Sequence, residues 1–113
     1  MHEYAVTKNI VDIAVAEAKA ANAGRVVEIS LVIGDLSSII DESVSMYFEI
    51  ISKDTMAEGA KLSFKRKPAV FHCSRCGKNY NKPAKGFECP ECGSLGTLTG
   101  AGREFYIESL EVE

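Results

Sequence analysis

Four cysteines fall in two matching pairs, Cys73-x₂-Cys76 and Cys89-x₂-Cys92, with twelve residues between the pairs. A glycine follows each pair, at Gly77 and Gly93. Two residues between cysteines let a tight turn aim both sulfurs at one ion, and the glycine permits the positive-φ step that such a turn needs. Amides in the turn can donate to the thiolates and spread their charge. Two such pairs supply four sulfurs, which Zn²⁺ accepts tetrahedrally, and the closed shell leaves no position for water. The spacing therefore predicts a structural, not catalytic, zinc site at Cys73, Cys76, Cys89 and Cys92. Iron could use the same ligands. A redox Cys-x-x-Cys belongs at the opening of a helix after a strand, and two copies facing each other favour metal.

The cysteines sit in a stretch unlike the rest of the chain. From about 70 to 98, Cys, Gly, Pro and Lys dominate and periodicity fades. Outside it, apolar residues recur at regular spacing. Val6, Ile10, Ile13 and Ala14 predict a helix over 6–21, stopped at Asn22-Ala23-Gly24, with Gly24 suited to the left-handed position. Alternation over 25–33 predicts a strand with Val27, Ile29, Leu31 and Ile33 on one face. Asp41 is expected to cap a second helix running to about 53, with an apolar stripe of Val44, Tyr47, Phe48 and Ile51. Glu58-Gly59-Ala60 is a turn before a strand over 61–67. Phe105, Ile107, Leu110 and Val112 form a last strand whose alternation slips at Glu108-Ser109, as a bulge would make it.

The order helix, strand, helix, strand, insert, strand predicts an α+β fold: a small sheet of three strands packed on two helices, with an inserted four-cysteine zinc-knuckle module. The expected division is an α/β domain of residues 1–69 plus 101–113 and a zinc-binding domain of residues 70–100. With 113 residues and 46% apolar content, the chain can bury a core of its own.

Charge limits the partners. The formal net charge is −3, and a zinc tetrathiolate adds two more negative charges. Within residues 71–98 the cations Arg75, Lys78, Lys82 and Lys85 are balanced by Glu88, Glu91 and the metal site, so the module is no phosphate magnet. A zinc-knuckle module binding nucleic acid is the alternative function, and a zinc or redox sensor a third. No apolar run approaches the ~20 residues of a membrane span. The start has neither a basic n-region nor an apolar h-region, so a cytoplasmic protein with reduced thiols is expected.

The second chemical feature is Met1-His2-Glu3. An α-amine, the His2 amide nitrogen once deprotonated, and the His2 imidazole can form fused rings around one ion. Such nitrogen sets favour square-planar Cu(II) or Ni(II). Glu3 could add a carboxylate. His72, beside Cys73, reads as an ordinary surface or packing residue that could serve a nearby metal.

Taken together, these residues resemble the HypA/HybF family of hydrogenase-maturation nickel chaperones. The start Met1-His2-Glu3-Tyr4 is similar to that family's opening, and Gly34-Asp35-Leu36-Ser37-Ser38 and Ala57-Glu58-Gly59-Ala60 resemble its inner motifs. The double Cys-x₂-Cys lies where its zinc module lies, and Gly102, Ile107, Glu108, Leu110, Glu111 and Val112 resemble its closing strand. The resemblance implies a non-enzymatic carrier that binds Ni(II) through Met1, His2 and Glu3 and holds zinc separately at the four cysteines. It implies a partner GTPase and delivery to the hydrogenase large subunit precursor. Some members carry extra histidines between the cysteine pairs; this chain has none there.

Overall fold

A computed structural model describes residues 3–83 and 86–113. The chain divides into two compact units, one of Met1–Val32, Ser38–Lys65 and Tyr106–Glu113, the other of Ile33–Ser37 and Arg66–Phe105.

The first unit holds helices α1 (Glu3–Ala20) and α2 (Asp41–Ile51), which pack against each other. With them are most of strands β1 (Val26–Gly34), β2 (Lys61–Lys67) and β6 (Phe105–Val112). The expected three-stranded sheet is present, in the order β2-β1-β6. Strands β1 and β2 run the same way: Glu28 meets Ser63 near their starts, and the Asp35 N–H donates to Lys67 O at their ends. Helix α2 is the connection that such a parallel pair requires. Strand β6 runs antiparallel to β1, with Arg25 and Glu113 exchanging backbone hydrogen bonds at one end and the Gly34 N–H reaching Glu104 O at the other. The core takes Ile10, Val11, Ala14 and Ala18 from α1, Val44 and Phe48 from α2, and Val26, Ile29 and Leu31 from β1. Val26 and Val32 are buried as fully as Ile29 and Leu31, so burial in β1 is not confined to the expected face.

Local chemistry corrects two expectations. Helix α1 ends in a Schellman motif whose left-handed residue is Asn22, at φ 56°, and not Gly24. The Ala23 N–H reaches Ala18 O at 2.9 Å and the Asn22 N–H reaches Lys19 O at 3.0 Å. Asn tolerates this conformation better than other residues with a Cβ. Asp41 does not cap α2 but is its first helical residue; Ile40 occupies the cap, with no side-chain hydrogen bond. Two carboxylates, Asp41 and Glu42, still lie in the first turn, where the helix dipole favours them. In β6, Glu108 and Ser109 are both exposed, so the alternation slips where the sequence slips.

The second unit contains a smaller sheet. Strand β3 (Val70–His72) pairs antiparallel with β4 (Asn79–Asn81) on one side and with β5 (Thr97–Leu98) on the other. Ala69, Phe71, Cys73, Tyr80 and Cys89 form one buried cluster in this unit. Phe71 stacks on Tyr80 with ring centroids 5.5 Å apart, and Phe87 tilts against Phe71 at 6.0 Å.

Candidate metal centre

Each cysteine pair occupies the tip of a hairpin, and the two tips repeat one another bond for bond. His72 pairs with Asn79 across the first tip and Glu88 with Leu95 across the second. The Cys73 N–H donates to Lys78 O at 2.9 Å, as the Cys89 N–H does to Ser94 O at 2.8 Å. The Gly77 N–H donates to Cys73 O and the Gly93 N–H to Cys89 O, each at 2.8 Å. Both glycines sit at φ 77°. A Cβ on either would meet nothing within 4 Å, so backbone conformation, and not crowding, is what calls for glycine here.

The hairpins bring all four sulfurs within 4.8 Å of one another. Cys73 and Cys92 Sγ are 3.4 Å apart, and Cys76 and Cys89 Sγ 3.7 Å. Four sulfurs at about 2.3 Å from one zinc ion would be separated by roughly 3.8 Å, so the cluster has the size of a single tetrahedral ion. No disulfide joins these cysteines, and the separations far exceed an S–S bond. The donor set fits structural zinc, which Cys73, Cys76, Cys89 and Cys92 could hold.

Electrostatics differ between otherwise matching sulfurs. The Ser94 backbone N–H donates to Cys92, aided by the Cys73 thiol and the Ser94 hydroxyl, and this thiol is pulled down to about 6. At Cys76 the Lys78 N–H also pulls downward, but sharing with Cys73, burial and Cys89 outweigh it and push the thiol up to about 11. Across the two tips, Lys78 Nζ reaches the Glu91 carboxylate at 3.0 and 3.2 Å, which raises the lysine's own pKa. Both partners are more than half exposed, so this clasp is worth little on its own.

Beneath the cluster, the Tyr80 hydroxyl donates to Phe87 O at 2.6 Å and accepts the Gly96 N–H at 3.0 Å. This anchor was not singled out in the sequence, where Tyr80 is the one tyrosine in a stretch without periodicity. His72 is exposed, and its Nδ1 bonds Asn79 Oδ1 at 2.8 Å. It is not part of the four-cysteine cluster.

Of the proposed nickel residues, Met1 and His2 lie outside the described residues, as does Lys85 of the charge count. Glu3 is the first residue of α1 and is buried, and its carbonyl accepts the Thr7 hydroxyl at 2.5 Å. Next to it, the Tyr4 ring meets Tyr47 of α2 edge-on, centroids 5.5 Å apart.

A family model described as hydrogenase/urease nickel incorporation, metallochaperone, hypA matches residues 1–112. The chain belongs to the HypA family. It is similar to the hydrogenase maturation factor HypA of Caldanaerobacter subterraneus subsp. tengcongensis, with 46% identity over the whole of both chains. The HypA of Dehalococcoides mccartyi is 42% identical, over all of this chain and 95% of that one. Two solved structures share the fold at 23% identity. One, a solution structure of HypA protein, has a TM-score of 0.72 and is aligned over 100% of this chain and 97% of its own. The other, the Ni metallochaperone HypA from Helicobacter pylori, has a TM-score of 0.66 over 99% and 97%. A four-sulfur shell would leave no position open for substrate, which suits a structural metal. Among the described residues, no helix is long and apolar enough to cross a membrane.

Proposed function

We propose that this chain carries Ni(II) on Met1, His2 and Glu3 and hands it on during maturation of [NiFe]-hydrogenase. The observation behind this reading is the family match over residues 1–112, which takes in both the Met1-His2-Glu3 start and the two cysteine pairs. The chemistry is consistent with it. The Met1 amine, the His2 amide and the His2 imidazole form a nitrogen-rich set suited to planar Ni(II). The sulfurs, by contrast, suit a closed zinc shell, so cargo and structural metal use different ligands. A site made from so few side chains can release its ion to a recipient.

On this reading, residues 1–69 plus 101–113 form the nickel-binding domain and residues 70–100 the zinc-binding domain. The partners are a GTPase of hydrogenase maturation and the hydrogenase large subunit precursor. The protein performs no catalysis and works in the cytoplasm, where the thiols stay reduced.

The deciding experiment is calorimetric titration of untagged, zinc-loaded protein with Ni(II). Binding should be lost in His2→Ala, with zinc content unchanged. An N-terminal tag, which turns the amine into an amide, should weaken binding sharply, whereas a C-terminal tag should spare it. Acid should release nickel, because protons compete for the same lone pairs. Unchanged nickel affinity in His2→Ala would remove the basis of this proposal.

A further inference from the structure

Among the described residues, strand β2 is an edge of the three-stranded sheet, with a partner on one side only. An edge strand presents unpaired N–H and C=O groups at ladder spacing. Alongside the start of this strand, helix α2 leaves a groove. Two adjoining hollows of about 390 and 180 Å³ share Phe48, Glu49 and Ala60 and extend to Ser52 at one end and Leu62 at the other. An edge strand beside a helix-walled groove is the arrangement that accepts an added strand: the backbone ladder supplies affinity, and alternate side chains enter the groove.

The side chains of β2 say what the added strand should carry. Leu62 and Phe64 are half-buried, whereas Lys61 and Lys65 are exposed at the alternate positions. An added strand continues this alternation. Its inward residues meet Phe48, Ala60 and Leu62. They must be uncharged or at least not acidic, because Glu49 and Glu58 line the same groove. Its outward residues lie beside Lys61 and Lys65. Lys65 already reaches toward the Glu108 carboxylate on β6, at 3.6 Å, so this face of the sheet pairs lysine with carboxylate across strands. Exposed lysines on an edge also discourage a second copy from pairing there, because like would meet like.

We infer that the α2–β2 groove docks an extended segment of a partner protein, one that alternates apolar residues facing in with acidic residues facing out. The partner's segment becomes a fourth strand beside β2.

The test uses the full-length zinc-loaded protein and a capped eight-residue peptide alternating valine and glutamate. Hydrogen exchange followed by NMR should show new protection of β2 amides and shifts at Phe48, Ala60 and Leu62. Reversing both lysines, K61E with K65E, should weaken binding about tenfold, the sum of two modest exposed pairs. N-methylation of the peptide on the ladder-facing amides should abolish binding, and methylation on the opposite set should not. Three results would overturn the proposal. The first is equal binding of a valine–lysine peptide. The second is protection confined to β6. The third is self-association of the peptide-free protein through β2, which would make a second copy the occupant.

Discussion

The Tyr80 hydroxyl holds the Gly96 N–H at 3.0 Å while donating to Phe87 O at 2.6 Å, so one side chain ties together both sides of the second cysteine hairpin. Tyr80→Phe keeps the ring stacked on Phe71 but leaves that N–H and that C=O without their partner. The loss is expected to be about 2 kcal/mol, since each part-buried group left unpaired costs of the order of 1 kcal/mol or more. Because zinc binding and folding of the module are linked, zinc affinity should fall roughly 30-fold in chelator competition. Gly96→Ala attacks the same point from the other side. Its Cβ would lie 2.6 Å from the Tyr80 oxygen and 2.8 Å from the carbonyl oxygen of His72, so the weakening should be at least as large.

Gly77 and Gly93 make a cleaner test of backbone conformation, because added side chains there meet open space. Gly77→Ala should cost about 1 kcal/mol, the penalty of a left-handed residue with a Cβ. Gly77→Asn should cost less and Gly77→Val more. The order is read from thermal unfolding of the zinc-loaded protein. Equal values for all three would mean the turn had relaxed to another conformation.

In the metal-free protein, matching positions in the two hairpins should react differently. Cys92, drawn down to about 6 by the Ser94 N–H and its neighbours, is a thiolate at neutral pH. Cys76, pushed up to about 11, is a thiol. Iodoacetamide should therefore modify Cys92 with a rate that climbs through pH 6 and then levels off, whereas Cys76 gains reactivity only in strong base. Peptide mass spectrometry separates the two. The depressed value also fixes the sign of the linkage: this group favours the folded metal-free form above the ordinary value of 9.0. That contribution is lost as pH falls through about 6.

Periodicity and spacing made much of this molecule legible. Alternation located β1, β2 and β6, and the slip at Glu108-Ser109 is visible in both the sequence and the burial. The Cys-x₂-Cys-Gly spacing specified the hairpin tips because the turn depends on residues next to one another. What escaped was set at a distance or by competition between neighbours. Asn22 took the left-handed position from Gly24 because hydrogen bonds to Ala18 and Lys19 fix the helix end two residues earlier. Asp41 became the first helical residue because Ile40 supplies the extended cap backbone. The short strands β3, β4 and β5 have too few residues for a period to show.

The resemblance singled out Gly34 and Gly102 without a reason, and the geometry of the second unit provides one. The chain leaving β1 and the chain entering β6 touch backbone to backbone. The Gly34 N–H reaches Glu104 O at 2.7 Å and the Leu36 N–H reaches Gly102 O at 2.6 Å. Across the same crossing, the Asp35 N–H holds Lys67 O at 2.8 Å, so three segments are laced together by main-chain bonds. A Cβ on Gly34 would lie 2.1 Å from the Gly102 carbonyl carbon and oxygen, and these backbone atoms have no rotamer into which to retreat. Gly34→Ala must therefore spread the crossing and break some of these bonds. The expected loss is about 2–3 kcal/mol, within the range for overpacking a tight site. In a domain of this size that lowers the zinc-loaded melting temperature by roughly 10 °C. Gly24→Ala is the matched control: its Cβ would meet only Glu113 O, at an ordinary 3.6 Å. The change there should stay within about 0.5 kcal/mol of neutral. If calorimetry gave both alanines the same small effect, the close approach of Gly34 and Gly102 would not be holding these segments together.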